Sequence, residues 1–202
     1  MAEGILLIIS GPSGVGKGTV CRRLLEICPS LELSVSTTTR PPRSNEKEGR
    51  EYYFRTKEIF KKMIESGDFL EWASVHGHFY GTTYGAVREA ISNGRDMILE
   101  IDVQGAAQVR KKMPRCLTIF LAPPSLQELE GRITGRGTED EALIRRRLLA
   151  AREEIKAYQL YDYVVVNDQV DEAAKTVEAI IKAEKCSVKR GARPPAGEVK
   201  QS

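Results

Sequence analysis

Residues 11–19 read Gly-Pro-Ser-Gly-Val-Gly-Lys-Gly-Thr, and no other stretch restricts the fold as tightly. The apolar run 5–9 before it reads as a buried parallel strand. Residues 17–27 after it place apolar side chains at helical spacing, so the glycine-rich turn sits at a helix N-terminus. Glycines let backbone N–H groups close around phosphate oxygens, and the helix dipole favours the anion. Lys17 can reach the outer phosphates as a point charge. The Gly-x-x-x-x-Gly-Lys spacing with these flanks separates the turn from an ordinary strand-to-helix loop. Gly11, Pro12, Ser13, Gly14, Val15, Gly16, Lys17, Gly18 and Thr19 are therefore the expected nucleotide-phosphate ligands.

One position departs from the common pattern. Gly18 stands where a hydroxyl residue usually follows the lysine, and Thr19 supplies the nearest hydroxyl one place later. Gly-Lys-Gly-Thr is similar to the loop of adenylate-kinase-like nucleotide kinases, and it leaves open which group approaches Mg²⁺.

Further along, residues 31–36 alternate as a short strand, and 37–50 form a polar stretch carrying Arg40, Arg43 and Arg50. A connection that long is seldom idle. The pattern predicts a strand at 52–54, a helix over 56–66 stopped by Gly67, strands at 69–75 and 78–83, and a helix over 84–93. Several short strands thus stand where an α/β fold expects one crossover, so 36–94 reads as an inserted mixed α/β subdomain.

The alternation resumes with an apolar strand at 97–103, a helix over 104–113 and a strand at 116–121. Ser125-x-x-Glu128 and Thr138-x-x-Glu141 are capping boxes, the second opening a helix to about residue 160. Gly131, Gly135 and Gly137 lie between them among arginines, which suggests a helical lid over about 125–160. A last strand at 163–167 and a last helix over 171–184 complete the pattern. Residues 188–202, with Pro-Pro and Gly, read as a disordered basic tail. The fold class is α/β, a parallel-sheet core (4–35, 95–124, 161–185) with helices on both faces, in one domain over 1–187. Ligands of such sheets sit beyond the carboxyl ends of the strands, which gathers the phosphate turn, Glu100, Asp102 and Asn167 at one edge.

The net charge of +3 locates to the tail, since four basic residues and one acidic residue fall in 189–202 and the rest balances at 27 against 27. That distribution excludes a nucleic-acid surface on the folded part. Cys21, Cys28, Cys116 and Cys186 form no Cys-x-x-Cys pair, and no targeting segment or membrane-length apolar run is evident, so a reduced, cytoplasmic protein is expected. His76 and His78 are the only histidines, and without neighbouring cysteines they read as a strand edge rather than a metal site.

The phosphate acceptor must be read elsewhere. Arg40 and Arg43 offer guanidinium forks for a terminal phosphate, and Tyr52 and Tyr80 offer neutral hydroxyl donors. Glu71 in Phe69-Leu-Glu-Trp72, and Asp102 in a second apolar strand, are costly unless partnered. Guanine would answer both, because N1–H and the 2-amino group are adjacent donors, whereas adenine would leave the carboxylates unpaired. For either carboxylate alone a structural salt bridge serves equally well.

Taken together, Ser10-Gly-Pro-Ser-Gly-Val-Gly-Lys17, Ser34-Val-Ser-Thr-Thr-Thr-Arg-Pro-Pro-Arg43, Glu51-Tyr-Tyr-Phe54, Phe69-Leu-Glu-Trp72, Tyr80-Gly-Thr82, Leu99-Glu-Ile-Asp-Val-Gln-Gly105 and Arg136-Gly-Thr-Glu139 resemble guanylate kinase in order and spacing, over residues 4 to 185. The resemblance implies a P-loop NTPase-type core, a GMP-binding subdomain, a lid, and Mg²⁺-dependent phosphoryl transfer from ATP to GMP. It implies that Arg40, Arg43, Tyr52 and Tyr80 hold the GMP phosphate, and that Glu71, Asp102, Ser36 and Thr82 meet the base. Glu100 would lie near the reacting phosphates or metal, Arg132, Arg136 and Arg147 would clasp the triphosphate, and Asn167 would contact the ATP base. Lys17, Arg40 and the lid arginines would neutralise charge in the transition state. Thr82 replaces a frequent serine and Asn45 a frequent glycine. Oligomeric state is not implied, and dGMP stays open as an acceptor. Two rivals are a guanylate-kinase-like scaffold module and another P-loop kinase acting on AMP or a sugar phosphate.

Overall fold

The computed structural model describes residues 3–75, 77–134 and 141–193, with the backbone alone at 141–143. Its first strand, β1 (Leu6–Ser10), is buried along its whole length, as expected for the centre of a parallel sheet covered on both faces. The period-two alternation splits its side chains between two cores. Leu7 and Ile9 pack with Val20 and Leu24 of α1 (Lys17–Ile27) and with Ala174, Val177 and Ile181 of α7 (Val170–Lys185). Leu6 and Ile8 pack with Val87 and Ala90 of α3 (Tyr84–Ser92) and Ala106 and Val109 of α4 (Val103–Lys112).

Around β1 the sheet is completed by β2 (Leu31–Leu33), β7 (Asp96–Glu100), β8 (Leu117–Ala122) and β9 (Tyr163–Val166), in the order β2-β7-β1-β8-β9 with every pair parallel. A second sheet holds β3 (Ser36–Thr38), β4 (Tyr52–Phe54), β5 (Phe69–Val75) and β6 (His78–Thr83), in the order β4-β3-β6-β5. The β3–β4 pair is parallel and the other two are antiparallel. Against this sheet α2 (Lys57–Glu65) seats Phe60, fully buried and stacked on Phe69 and Phe79 with ring centroids 4.3 and 5.4 Å apart. A smaller cluster of Leu129, Ile133 and Ala151 joins α5 (Leu126–Thr134) to α6 (Glu141–Ile155).

Four expectations need correction. The strand read at 31–36 is two strands in two sheets: Ser34 N–H still donates to the Ile98 carbonyl, and the chain then crosses to the second sheet. The strand read at 97–103 ends at Glu100, because Asp102 caps α4, its Oδ1 accepting the Gly105 N–H at 2.7 Å. Asp102 is thus not a strand residue. The long helix to 160 is α-helical to Ile155 and continues as a 3₁₀ turn over Lys156–Leu160. Finally, the fold does not stop at 187. A 3₁₀ turn at Val188–Arg190 returns Arg190 to the Glu184 carboxylate and to the Arg115 carbonyl. His76, Gly135, Arg136, Gly137, Thr138, Glu139 and the tail beyond 193 lie outside the described residues. Ser125 Oγ accepts the Glu128 N–H as its capping box requires. Among the described residues no helix is long and apolar enough to cross a membrane.

Candidate active site

At the carboxyl end of β1 the chain turns sharply, and the turn needs its glycines. A Cβ at Gly11 would lie 2.2 Å from the Leu121 carbonyl oxygen, and Gly16, at the N-cap of α1, has φ 95°. Val15 is wholly buried, which pins the middle of the turn. Lys17 folds back over it, its Nζ donating to the carbonyls of Gly11 (2.8 Å) and Pro12 (3.2 Å). Burial lowers the Lys17 pKa, while Glu100, Glu154 and Asp102 oppose that shift.

Neighbouring elements brace the turn. Asn167, at the end of β9 and only 3% exposed, donates from Nδ2 to the Val15 carbonyl at 2.8 Å. Its Oδ1 is buried with no hydrogen-bond partner among the described residues. Arg132 on α5 donates to the Asn167 carbonyl at 3.0 Å, and Arg147 on α6 donates to the Ser13 hydroxyl at 3.1 Å. The Ser13 N–H donates to the Glu154 carboxylate at 3.0 Å. Glu154 is therefore an anion already seated on a loop N–H. Sequence reasoning missed it, since 141 residues separate the pair and no local pattern links them.

The second sheet gathers another set of donors. Arg40 lies over the Tyr52 ring at 5.5 Å, and Tyr52 meets Tyr80 edge-on at 6.1 Å. Glu46 accepts two hydrogen bonds from Arg40 Nη2, at 2.7 and 2.9 Å, and one from the Arg43 N–H at 2.9 Å. With side chains 15% and 10% exposed, Arg40 and Glu46 are a shielded pair, and Arg40 holds the Glu46 carboxyl below the usual range. Sequence reasoning missed Glu46 too; its local signal is an acid three residues beyond Arg43, in a loop that also holds Glu48.

Between these sets lies a carboxylate slot. Glu71 and Thr82 face each other across β5 and β6, and Ser36 is level with Tyr52 across β3 and β4. A Cβ at Gly105 would lie 3.0 Å from Glu71 Oε2 and 3.4 Å from Asp102 Oδ1, so the two carboxylates converge on one point at the start of α4. Glu71 is 5% exposed, and burial pushes its carboxyl up to about 7, with Asp102 adding to the shift and Thr82 and Lys112 opposing it. The Thr82 hydroxyl, though near Glu71, makes no hydrogen bond of ordinary geometry among the described residues.

Glu100 closes the gap to the phosphate turn. Because residue 18 is glycine, its carboxylate approaches closely: a Cβ there would lie 3.2 Å away. Burial raises the Glu100 carboxyl, against Lys17 and Arg22. Among the described residues no three His, Cys, Asp or Glu side chains could cage a metal by themselves. One carboxylate beside a phosphate turn suits a hard divalent cation that arrives with a nucleotide and keeps water and phosphate oxygens as its other ligands. Thus the structure brings Lys17, Glu100, Asp102, Asn167, Arg132 and Arg147 to one edge, and Arg40, Tyr52 and Tyr80 to the second sheet. It shows Arg43 there through its backbone N–H.

The chain matches the guanylate kinase family model over residues 3–184. It is 52% identical over 188 residues to the guanylate kinase of Shouchella clausii (strain KSM-K16), covering 93% of this chain and 92% of the relative. It is 50% identical over 188 residues to that of Clostridioides difficile (strain 630), covering 93% and 92%. A crystal structure of guanylate kinase from Anaplasma phagocytophilum superposes with a TM-score of 0.75 at 35% identity, covering 94% of this chain and 90% of that one. With the phosphate turn, the paired carboxylates and the shared architecture in one chain, this protein belongs to the guanylate kinase family.

Proposed function

We propose that this chain is an ATP:GMP phosphotransferase, converting GMP and ATP to GDP and ADP. The observation that carries the reading is the convergence of Glu71 and Asp102 on one point beside the phosphate turn. Two acceptors side by side complement the N1–H and 2-amino donors of guanine, and no other purine edge satisfies both. Thr82 and Ser36 add hydroxyls to that slot. Arg40, Arg43, Tyr52 and Tyr80 take the acceptor phosphate, with Arg40 exchanging part of its Glu46 contact for phosphate oxygens.

On the donor side, the N–H groups of residues 11–19 take the ATP phosphates, and Lys17 moves from the Gly11 and Pro12 carbonyls to the transferring group. Arg132, Arg136 and Arg147 neutralise the triphosphate, and the unpartnered Asn167 Oδ1 is an acceptor for the adenine amino group. An oxygen of GMP attacks the γ-phosphorus as its bond to the β-bridging oxygen breaks. That oxygen is already ionised, so alignment and charge neutralisation supply the catalysis and no strong base is needed. Mg²⁺, held by Glu100 and the substrate phosphates, would add charge neutralisation at the reacting oxygens. Four free thiols suit a reduced cytoplasmic compartment.

A steady-state panel of GMP, dGMP, IMP, AMP and ribose 5-phosphate, each with ATP and Mg²⁺, tests the reading. GMP should give the highest kcat/KM. A folded protein that forms no GDP, or that prefers AMP or the sugar phosphate, would refute it.

A further inference from the structure

We propose that Gln108 is a positioning residue for guanine recognition, clamping the strand that carries Glu71 against the helix that carries Asp102. The inference rests on the GMP reading above and extends it to a residue that touches neither base nor phosphate. Strand β5 is the edge of the second sheet, so one side of its backbone has no neighbouring strand among the described residues. Helix α4 supplies the partners instead. Gln108 Nε2 donates to the Trp72 carbonyl at 3.0 Å, and the Trp72 N–H donates to Gln108 Oε1 at 3.2 Å. One amide side chain thus reproduces the two-bond exchange of a paired strand residue. Lys112 Nζ adds a bond to the Phe69 carbonyl at 2.6 Å.

These groups lie on one stripe of α4. Gly105, Gln108 and Lys112 follow the i, i+3, i+7 spacing of a helix face, and they meet Glu71, Trp72 and Phe69 respectively. The same helix begins at Asp102, which is fixed by its bond to the Gly105 N–H. α4 is therefore a rigid spacer: the Asp that caps it is one carboxylate of the slot, and its turns set where the other can sit. Glu71 is adjacent to Trp72, so freeing Trp72 frees Glu71. Capping a bare strand edge would need only any donor and acceptor; here the cap falls beside the one buried carboxylate whose place the base must match.

The test is Gln108→Met, which keeps length and bulk but has no amide, measured beside Glu71→Gln and the double variant. Gln108→Met should raise KM for GMP about tenfold while KM for ATP stays within about twofold, because only one pocket loses its geometry. In the Glu71→Gln background it should add less than about twofold, since the clamp acts through Glu71. Lys112→Met cuts the Phe69 end and also removes a cation that acts on Glu71, so it is measured well above pH 7, where Glu71 is ionised; KM for GMP should move the same way by about threefold, which keeps the question answerable if Gln108→Met fails to fold. An unchanged KM for GMP in the Gln108 and Lys112 variants, or KM values for both substrates rising together, would overturn the proposal. If Glu71→Gln raises KM for GMP and Gln108→Met does not, the role of Gln108 alone fails. If Glu71→Gln has no effect, the base assignment fails and the clamp with it.

Discussion

The two halves of the active-site edge are built in opposite ways. Around the phosphate turn several groups already have a stand-in partner, the buried Asn167 Oδ1 excepted: Lys17 bonds its own loop carbonyls, Glu154 sits on the Ser13 N–H, and Asn167 Nδ2 ties down Val15. In the slot of the second sheet a buried carboxylate has, among the described residues, no salt-bridge partner. Glu71 is buried with its carboxyl raised to about 7 although Thr82 opposes that shift, and the Thr82 hydroxyl makes no hydrogen bond of ordinary geometry among the described residues. A loop that must receive any nucleotide triphosphate can rest in a satisfied state and exchange partners. A slot that must reject adenine gains discrimination by costing the free protein stability, because only the right base removes that cost.

The largest test of this contrast is Lys17→Ala. Among the described residues the Lys17 ammonium donates only to its own loop, so folding should be nearly untouched and Tm should shift little. A positioned cation at the transferring phosphoryl acts on the transition state, so kcat should fall by roughly a hundredfold or more. A Tm drop of many degrees would show that the loop is not at rest without its ligand. A kcat near wild type would show that the lysine is not at the transferring group.

Next in size is Glu71→Gln, which should pull binding and stability apart. Replacing an acceptor by a donor facing guanine's donors should raise KM for GMP by about 10-fold to 100-fold. The same change removes a buried charge. A carboxyl moved from its ordinary value of 4.5 to about 7 costs the ionised folded protein up to about 3 kcal/mol. The sign is that of an acid with a raised folded pKa. The unfolded chain ionises first, so stability falls as pH rises from about 4.5 through 7, and the penalty is full above 7. The variant should therefore melt above wild type at pH 8, and the gap should close on going to pH 4.5. Thermal melts across that range check it, and an equal or lower Tm for the variant at pH 8 would contradict the slot as described. Binding follows the same group: wild-type KM for GMP should rise as pH falls below 7 by more than the Glu71→Gln variant shows, which separates Glu71 from titration of the GMP phosphate itself.

The contrast also explains what the sequence disclosed. The phosphate turn is a backbone feature whose geometry is set by glycines at fixed spacing, so residues 11–19 announce it locally, together with the strand and helix on either side. Strands β5 and β6 were equally plain, because alternation and the turn at Gly77 fall within one short window. The slot is made by elements far apart in the chain. Glu71 was singled out as a carboxylate in an apolar strand, but that it shares a point with Asp102 follows from how α4 crosses β5. Asp102 itself was misread as a strand residue, although an Asp just before the helical run 103–112 carries an N-cap signal that should have ended the strand. Glu46, Glu154 and Gln108 stayed hidden because each is defined by a tertiary partner rather than by a neighbour in sequence.

The smallest effect is the finest probe of the contrast. Thr82→Val keeps the shape of a buried residue and removes only a hydroxyl that, though near Glu71, makes no hydrogen bond of ordinary geometry among the described residues. In the free protein that deletion relieves an unsatisfied polar group, so stability should hold or rise by about 1 kcal/mol. In the complex it removes one neutral hydrogen bond to the base, and KM for GMP should rise by roughly 2- to 10-fold with KM for ATP unchanged. The two shifts must have opposite consequences for the free and bound protein if the slot is held unsatisfied for its ligand. A valine that destabilises the free protein by several kcal/mol would mean that the hydroxyl already has a structural partner. The slot's hydroxyl would then be as settled at rest as the Lys17 ammonium is on its own loop.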